Sequence, residues 1–337
     1  MADLRTTYLG LELANPLVPS ASPLSRDLDT ALRLEDAGAA ALVMYSLFEE
    51  ELRSNEETAA RFLLDQDIGF GEASSFLPLS DRYRHGLDHY LEQLRRLKER
   101  LAIPVIASVN GVTLSGWLDH ARALAQAGAD ALELNVYYVA ADMHESSTAI
   151  EARYVELLRE LRAQVSLPIA MKLSSQFSSV PHMVRRLEDA GAAGVALFNR
   201  FYQPDIDLAT LRVSARLQLS TSHDSLLAMR WIAILYGRVQ LSLAATGGIH
   251  NAEDVVKLLL AGADVTHLCS ALLLHGPAHL GEIRAGLERW LDKSVYESLD
   301  QMRGSVSQLH VDDPARYERA NYLAVLGSYA PAPGVRR

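Results

Sequence analysis

The stretch TGGIHNAEDVVKLLLAGADVTHLCSALLL, residues 246–274, decides the fold of this chain. It reads as the end of a strand, a glycine turn at residues 247–248, a helix, and a second strand at residues 265–268. Asn251 predicts the N-cap of the helix and Gly262 its C-cap, because these residue types favour those positions. Two consecutive strand-to-helix turns near the end of a chain are typical of parallel barrels, which commonly hold a phosphate there.

A short phrase that resembles the centre of this stretch recurs along the chain as the end of a helix, an Ala-Gly-Ala turn and an apolar strand. Its copies lie at residues 36–44, 126–135, 189–199 and 260–269. Strands of a second kind begin near Asn15, Leu101, Val165 and Val239. All eight are almost continuously apolar, as parallel strands are when helices cover both faces. The pattern predicts an α/β fold, a (β/α)₈ TIM barrel forming a single domain over residues 1–337, with a doubly wound sheet as the alternative.

Two predicted connections are too long to be plain turns. They are long βα loops after the second and sixth barrel strands, at residues 46–88 and 201–224. Long loops at the carboxyl ends of barrel strands lie at the catalytic face. The tail at residues 330–337 is predicted to fray.

Composition excludes several classes of protein. Lys and Arg number 32 against 42 Asp and Glu, for a net charge of −10, which argues against nucleic acid or an anionic membrane as partner. The single cysteine, Cys269, excludes an internal disulfide framework and an iron–sulfur site made by this chain. Because the sequence has no apolar signal core and no run long enough to span a bilayer, we expect a cytoplasmic protein.

Candidate functional residues lie at the carboxyl ends of the predicted strands, where barrels of this kind place their sites. They are Ala21, Ser22, Tyr45, Ser46, Asn110, Asn135, Tyr137, Tyr138, Lys172, Asn199, Thr246, Gly247, Gly248 and Ser270. The set has one cation, several amides and no cluster of histidines or carboxylates. No metal site is therefore predicted, and the two carboxylates of a glycosidase are missing.

Lys172 stands out because it ends an otherwise apolar strand, where an unpaired ammonium is costly to bury. Three interpretations are open: its head reaches solvent, it faces an anionic cofactor, or it forms a Schiff base. Asn135 and Asn199 either bind a flat heterocycle or satisfy local turns. Cys269 is interpreted as a small buried residue, and His267 as a packed core histidine.

Several phrases together resemble one family. They are Leu-Gly-Leu-x-Leu-x-Asn-Pro-Leu at residues 9–17, Ala21-Ser22, Glu-Leu-Asn at 133–135, Lys172-Leu173, Asn199, Thr-Gly-Gly-Ile at 246–249 and Ser-Ala-Leu at 270–272. In these features the chain resembles, nearly from end to end, the dihydroorotate dehydrogenase family of the soluble class 1 kind, which are FMN-containing (β/α)₈ barrels.

The resemblance implies FMN lying across the top of the barrel. Its phosphate would lie on the amides around Thr246, Gly247, Gly248, Ser270 and Ala271. Its ring would contact Ala21, Ser22, Asn135 and Asn199, with Lys172 at the flavin N1–O2 edge. A substrate would lie near Tyr45, Asn135, Tyr137 and Asn199. The family also implies a role in pyrimidine biosynthesis, a homodimer and, in some relatives, an electron-transfer partner subunit.

The chain departs from the family at the substrate side. The position of the family's catalytic Cys is Tyr138, the following Asn is Ala140, and the Lys after the second strand is Tyr45. A phenol has an ordinary pKa near 10 and is a poor base at neutral pH unless that pKa is shifted.

Four functions are therefore kept. The first is an FMN-dependent oxidoreductase acting on dihydroorotate, with Lys172 and Tyr138 as catalytic residues. A neighbouring hydroxyl such as Ser175 or Ser178, or water, is the alternative to Tyr138 for the proton transfer. The other functions are an FMN oxidoreductase on a different CH–CH or C=C bond, a phosphosugar lyase or aldolase using Lys172 as Schiff base, and an FMN-binding barrel without catalysis.

Overall fold

A computed structural model of the chain describes residues 3–48, 86–110, 114–200, 203–214 and 217–328, with the backbone alone at 114–119. Most of the predicted loop at residues 46–88 and the whole tail at 330–337 lie outside these ranges. The single domain over residues 1–337 stays a prediction.

The described strands are β1 (Thr6–Tyr8), β2 (Leu11–Leu13), β3 (Leu17–Pro19), β4 (Leu42–Phe48), β5 (Val105–Asn110), β6 (Ala131–Asn135), β7 (Ile169–Leu173), β8 (Gly194–Leu197), β9 (Asp205–Asp207), β10 (Arg212–Ser214), β11 (Ser242–Thr246) and β12 (Val265–Leu268). The described helices are α1 (Leu28–Asp36), α2 (Gly86–Arg100), α3 (Leu114–Gln126), α4 (Ser147–Gln164), α5 (Val180–Asp189), α6 (Ser225–Leu235), α7 (Ala252–Ala261), α8 (Ser270–His275), α9 (His279–Lys293), α10 (Leu299–Met302) and α11 (Arg319–Gly327).

Eight of these strands form one parallel sheet in the order β3, β12, β11, β8, β7, β6, β5, β4. Strands β3 and β4, at the two ends of that order, also lie next to each other. The amide of Ala40, just before β4, donates to the carbonyl of Leu17 in β3 at 3.0 Å. With helices between successive strands, this arrangement confirms the (β/α)₈ barrel, and all eight predicted strands are present. The doubly wound alternative is wrong.

Local sequence explains how the deciding stretch folds. The side chain of Asn251 accepts a hydrogen bond from the amide of Asp254 and caps α7. Gly262 ends the helix with φ +122°, a conformation that other residues rarely adopt. Both predicted caps are confirmed. They fix where β11 and β12 end, and so where their carboxyl-terminal residues project.

The amino end of the barrel is closed by the antiparallel hairpin of β1 and β2, which the sequence analysis did not predict. Its side chains Tyr8, Leu9 and Leu13 are buried in a cluster with the first inward-facing residues of the barrel strands. The amide of Leu9 donates to Ser242 Oγ at 3.0 Å. Because this plug closes one end, the opposite end, at the carboxyl termini of the strands, remains for a ligand.

The loop after β8 carries a second antiparallel hairpin, β9 and β10. Ile206, Leu208, Leu211 and Val213 on it are exposed. The prediction of a long sixth βα loop is therefore confirmed over its described residues. Among the described helices, none combines the length and apolarity that a bilayer span requires.

Candidate functional site

A cavity of about 440 Å³ opens at the carboxyl ends of the barrel strands. Most of the predicted site residues line it, and these are Ala21, Ser22, Tyr45, Asn135, Tyr137, Lys172, Asn199, Thr246, Gly247, Gly248 and Ser270. The predicted residues Tyr138 and Ala271 do not line it. Strand ends that are distant in the sequence therefore converge on one site, as the barrel prediction requires.

Lys172 is buried in the cavity wall. Its Nζ lies 3.4 Å from Glu133 Oε1 and 3.4 Å from Ser20 Oγ. The interpretation that its head reaches solvent is wrong, because the ammonium is directed into the barrel and paired there. Glu133 was not among the predicted site residues, although it lies in the Glu-Leu-Asn phrase at residues 133–135.

Two carboxamides stand beside Lys172 in the wall. Asn199 Nδ2 donates to Asn135 Oδ1 at 2.6 Å. This bond fixes both side chains to one another instead of to local turns. Paired amides at a cavity wall suit hydrogen bonding to a planar heterocycle.

The turn after β11 offers a backbone cradle. Gly247 has φ +90°, and a Cβ added to it would meet no atom within 4 Å, so space lies directly above it. Gly248 has φ +72°, and an added Cβ would lie 2.2 Å from the amide nitrogen of Ser225. The two glycines thus serve different purposes: Gly247 borders open space, whereas Gly248 lets the turn pack against the backbone at the start of α6.

Ser220 is a cradle residue that sequence analysis missed. Its Oγ accepts from the Gly248 amide at 3.3 Å and lies 3.2 Å from His250 Nε2, and its own amide donates to Ser270 Oγ at 3.2 Å. It therefore joins the turns after β11 and β12. The signal available in the sequence was the hydroxyl-rich phrase Ser-Thr-Ser at residues 220–222, two residues before the start of α6.

The adjacent residues Tyr137 and Tyr138 have different surroundings. Tyr137 lines the cavity. Tyr138 donates its hydroxyl to Glu145 Oε2, and the guanidinium of Arg153, which pairs with Glu145, lies 4.9 Å from the centre of the Tyr138 ring. The prediction that Tyr138 is the catalytic base is therefore not supported by this geometry, because a base must reach the proton that it removes.

The cavity lining carries the cations Arg26, Lys172 and Arg200, and no Asp or Glu is among the described lining residues. The guanidinium of Arg26 lies 4.6 Å from the centre of the Tyr45 ring. Lining charges of one sign attract ligands of the opposite sign. The cavity is therefore suited to an anionic ligand.

Two titratable residues of β12 and its end also border the cavity. Burial lowers the pKa of His267 to about 4, so its imidazole is neutral at neutral pH. Burial raises the pKa of the Cys269 thiol, with the Lys172 charge opposing that shift. Cys269 is therefore a thiol and a poor nucleophile. Among the described residues, no group of three or more His, Cys, Asp or Glu side chains could hold a metal ion.

Comparison with known families decides the relationship. The family model described as dihydroorotate dehydrogenase matches residues 3–291. The chain belongs to the dihydroorotate dehydrogenase family. Its members are oxidoreductases that act on CH–CH bonds, and this chain is an enzyme of that kind.

The relatives within this family are distant. The catalytic subunit of dihydroorotate dehydrogenase B (NAD(+)) from Thermoplasma acidophilum is 25% identical over 308 residues, covering 90% of this chain and 99% of the relative. Dihydroorotate dehydrogenase A (fumarate) from Lactobacillus delbrueckii subsp. bulgaricus is 26% identical, covering 91% and 99%. The NAD-dependent dihydropyrimidine dehydrogenase subunit PreA from Escherichia coli K12 is 25% identical, covering 90% and 76%. Relatives at this level of identity thus carry the names of dehydrogenases for different substrates.

Proposed function

We propose that this chain is an FMN-dependent oxidoreductase that transfers hydride between a CH–CH substrate and the flavin. The observation that carries the proposal is that the glycine cradle and the buried Lys172 open into the same cavity. The cradle suits a phosphate, and the cation suits a group that becomes negative when it accepts hydride. Dihydroorotate is the substrate that the family favours.

The residues present fit FMN. Space above Gly247 and the hydroxyls of Ser220 and Ser270 would receive the phosphate, with Thr246, Gly248 and the amide of Ala271 beside them. Ala21, Ser22, Asn135 and Asn199 would hold the ring, and Lys172 would lie against its N1–O2 edge. When bound, FMN would supply the two-electron acceptor for the substrate's hydride.

The remaining wall would bind substrate. Tyr45 and Tyr137 line the cavity together with Asn135 and Asn199. We propose that Tyr137, and not Tyr138, exchanges the substrate proton. Arg26 and Arg200 would favour an anionic substrate over a neutral one.

Anaerobic titration tests this proposal. Purified protein should carry FMN in a one-to-one ratio, and dihydroorotate should bleach its visible absorbance under argon. Lys172→Met should retain FMN but be bleached more slowly, since the charge acts on the transfer step. Protein that binds no FMN at saturating concentration would contradict the cofactor assignment.

A second candidate is the same chemistry on a different substrate. It is favoured by Tyr45, Tyr138 and Ala140, which stand where the resemblance expects a lysine, a cysteine and an asparagine. Parallel titration with 5,6-dihydropyrimidines, which lack the carboxylate, discriminates the two. Bleaching by the neutral compound alone would show that the cavity cations do not select the substrate.

The lyase alternative needs a neutral amine, whereas Lys172 pairs with Glu133. Borohydride trapping of a substrate on Lys172 would support the lyase function instead.

We further propose a cytoplasmic homodimer, and an electron-transfer subunit as a possible partner. The exposed apolar side chains of the β9–β10 hairpin offer a surface for a second copy. Light scattering with Val213→Glu tests this: the variant should be monomeric at concentrations where the parent is dimeric. A monomeric parent would remove the proposal.

A further inference from the structure

Three ionisable side chains lie inside the barrel directly below the cavity. Glu133 in β6 is fully buried, Lys172 in β7 is 7% exposed and His267 in β12 is 1% exposed. Lys172 and His267 also line the cavity, and Glu133 lies against both of them; the three side chains together are called the cavity floor below. Ionisable side chains in an apolar barrel are costly unless they are paired, which makes their joint presence informative.

Glu133 stands between the other two. Its Oε1 lies 3.4 Å from Lys172 Nζ, and its Oε2 lies 3.6 Å from His267 Nδ1. The second distance is too long for a hydrogen bond. Among the described residues, Glu133 Oε2 and both ring nitrogens of His267 are buried without a hydrogen-bond partner. The neighbours complete the surroundings: Ser20 Oγ is 3.4 Å from Lys172 Nζ, and the Tyr8 ring meets the imidazole edge-on at 5.6 Å.

Within this group, Glu133 has a single cationic partner. His267 is neutral at neutral pH, so Lys172 is the cation that balances Glu133 within the group. Any negative charge that develops on a ligand above Lys172 must therefore share the ammonium with Glu133. In a buried site of low effective dielectric, that competition is strong.

We infer that Glu133 is a positioning residue that holds the ammonium of Lys172 in the cavity floor and lowers the reduction potential of the cofactor bound above it. The effect on the reduction potential of the cofactor rests on the proposed function, whereas the pairing of Glu133 with Lys172 does not. The Glu133 carboxylate opposes negative charge on the ligand, and Lys172 favours it. Removal of each group should therefore shift the potential in opposite directions.

The first experiment measures the midpoint potential of bound FMN by spectroelectrochemistry at neutral pH. Glu133→Gln keeps the shape and removes the charge, and it should raise the potential by at least about 30 mV, which is a tenfold change in a two-electron equilibrium. Lys172→Met should lower it. Glu156→Gln, an exposed carboxylate on α4, is the matched control and should leave it unchanged. A Glu133→Gln potential equal to or below that of the parent would overturn the inference.

The second experiment needs no cofactor. Chemical denaturation of the purified chain without FMN gives a double-mutant cycle for Glu133→Gln and Lys172→Met. Each single variant leaves one buried charge without its partner, so each should shift the unfolding equilibrium at least a hundredfold. The double variant should lose far less than the two effects combined. Additive losses would overturn the pairing, whereas failure to bind FMN would contradict the proposed function and leave the cycle valid. If Glu133→Gln does not fold, a folded double variant supports the pairing, and an unfolded double variant counts against it.

Discussion

His267 shows what burial does to a single titratable residue. Its pKa falls from an ordinary 6.5 to about 4, because burial disfavours the imidazolium more than the facing Glu133 favours it, and Lys172 opposes the charge as well. As pH falls below 6.5, the unfolded chain binds a proton here that the native chain does not. The stability contributed by the neutral imidazole is therefore complete above pH 6.5 and is lost as pH falls toward 4.

We predict that the free energy of unfolding falls across this window by up to about 3 kcal/mol from His267 alone, at about 1.4 kcal/mol per pKa unit. Urea denaturation at several pH values measures it. Because carboxylates also titrate there, the reference is His267→Gln, whose stability should vary less with pH. Parallel pH profiles for parent and variant would show that His267 is not the cause.

Tyr137 and Tyr138 provide a comparison between neighbours. Tyr137→Phe removes the hydroxyl of a cavity-lining residue and should slow flavin reduction about 10²-fold or more, the usual range for a lost acid or base, if Tyr137 exchanges the substrate proton as proposed. Tyr138→Phe breaks the bond to Glu145 and should cost about 1 kcal/mol of stability with little effect on rate. Stopped-flow absorbance and thermal unfolding separate the two. The reverse pattern would restore Tyr138 as the base.

At the scale of elements, the turn between β11 and α7 makes a prediction about two adjacent glycines. Gly248→Ala places a methyl group 2.2 Å from the Ser225 amide and should destabilise the fold by several kcal/mol, since backbone must move. Gly247→Ala meets no atom within 4 Å, so its cost is the strain of φ +90°, about 1 kcal/mol or more. It should fold but bind FMN more weakly, because its methyl group enters the cradle.

Calorimetry of FMN binding and denaturant midpoints test both variants. If Gly247→Ala binds FMN as the parent does, the phosphate does not lie above that turn.

How much the sequence could predict differs between elements. The barrel strands were predictable because each is almost continuously apolar, and four of the eight follow an Ala-Gly-Ala turn. The β1–β2 hairpin was not, because each strand has three residues and such a short run carries little periodicity. Glu133 can be read in the sequence, but its pairing with Lys172 depends on which strands become neighbours in the barrel. The ring of strand ends could be predicted, whereas the separate directions of Tyr137 and Tyr138 could not, since they follow from the loop after β6.

At the scale of the whole molecule, the plug formed by β1 and β2 should contribute to global stability. Leu13 is 2% exposed within the apolar cluster at the amino end of the barrel. Leu13→Ala should lower the free energy of unfolding by about 2–5 kcal/mol, the usual cost of a buried leucine, with cavity chemistry unchanged. Leu323→Ala, at a position 65% exposed, is the matched control and should change stability little. Equal losses would mean that the hairpin is not part of the cooperative core.

The same hairpin governs water access. It closes the amino end of the barrel, so the floor side chains Glu133, Lys172 and His267 communicate with solvent through the opposite end, where a ligand would sit. A tightly seated ligand would then isolate these groups from bulk water at both ends. Water would then reach these three side chains again only after the ligand leaves.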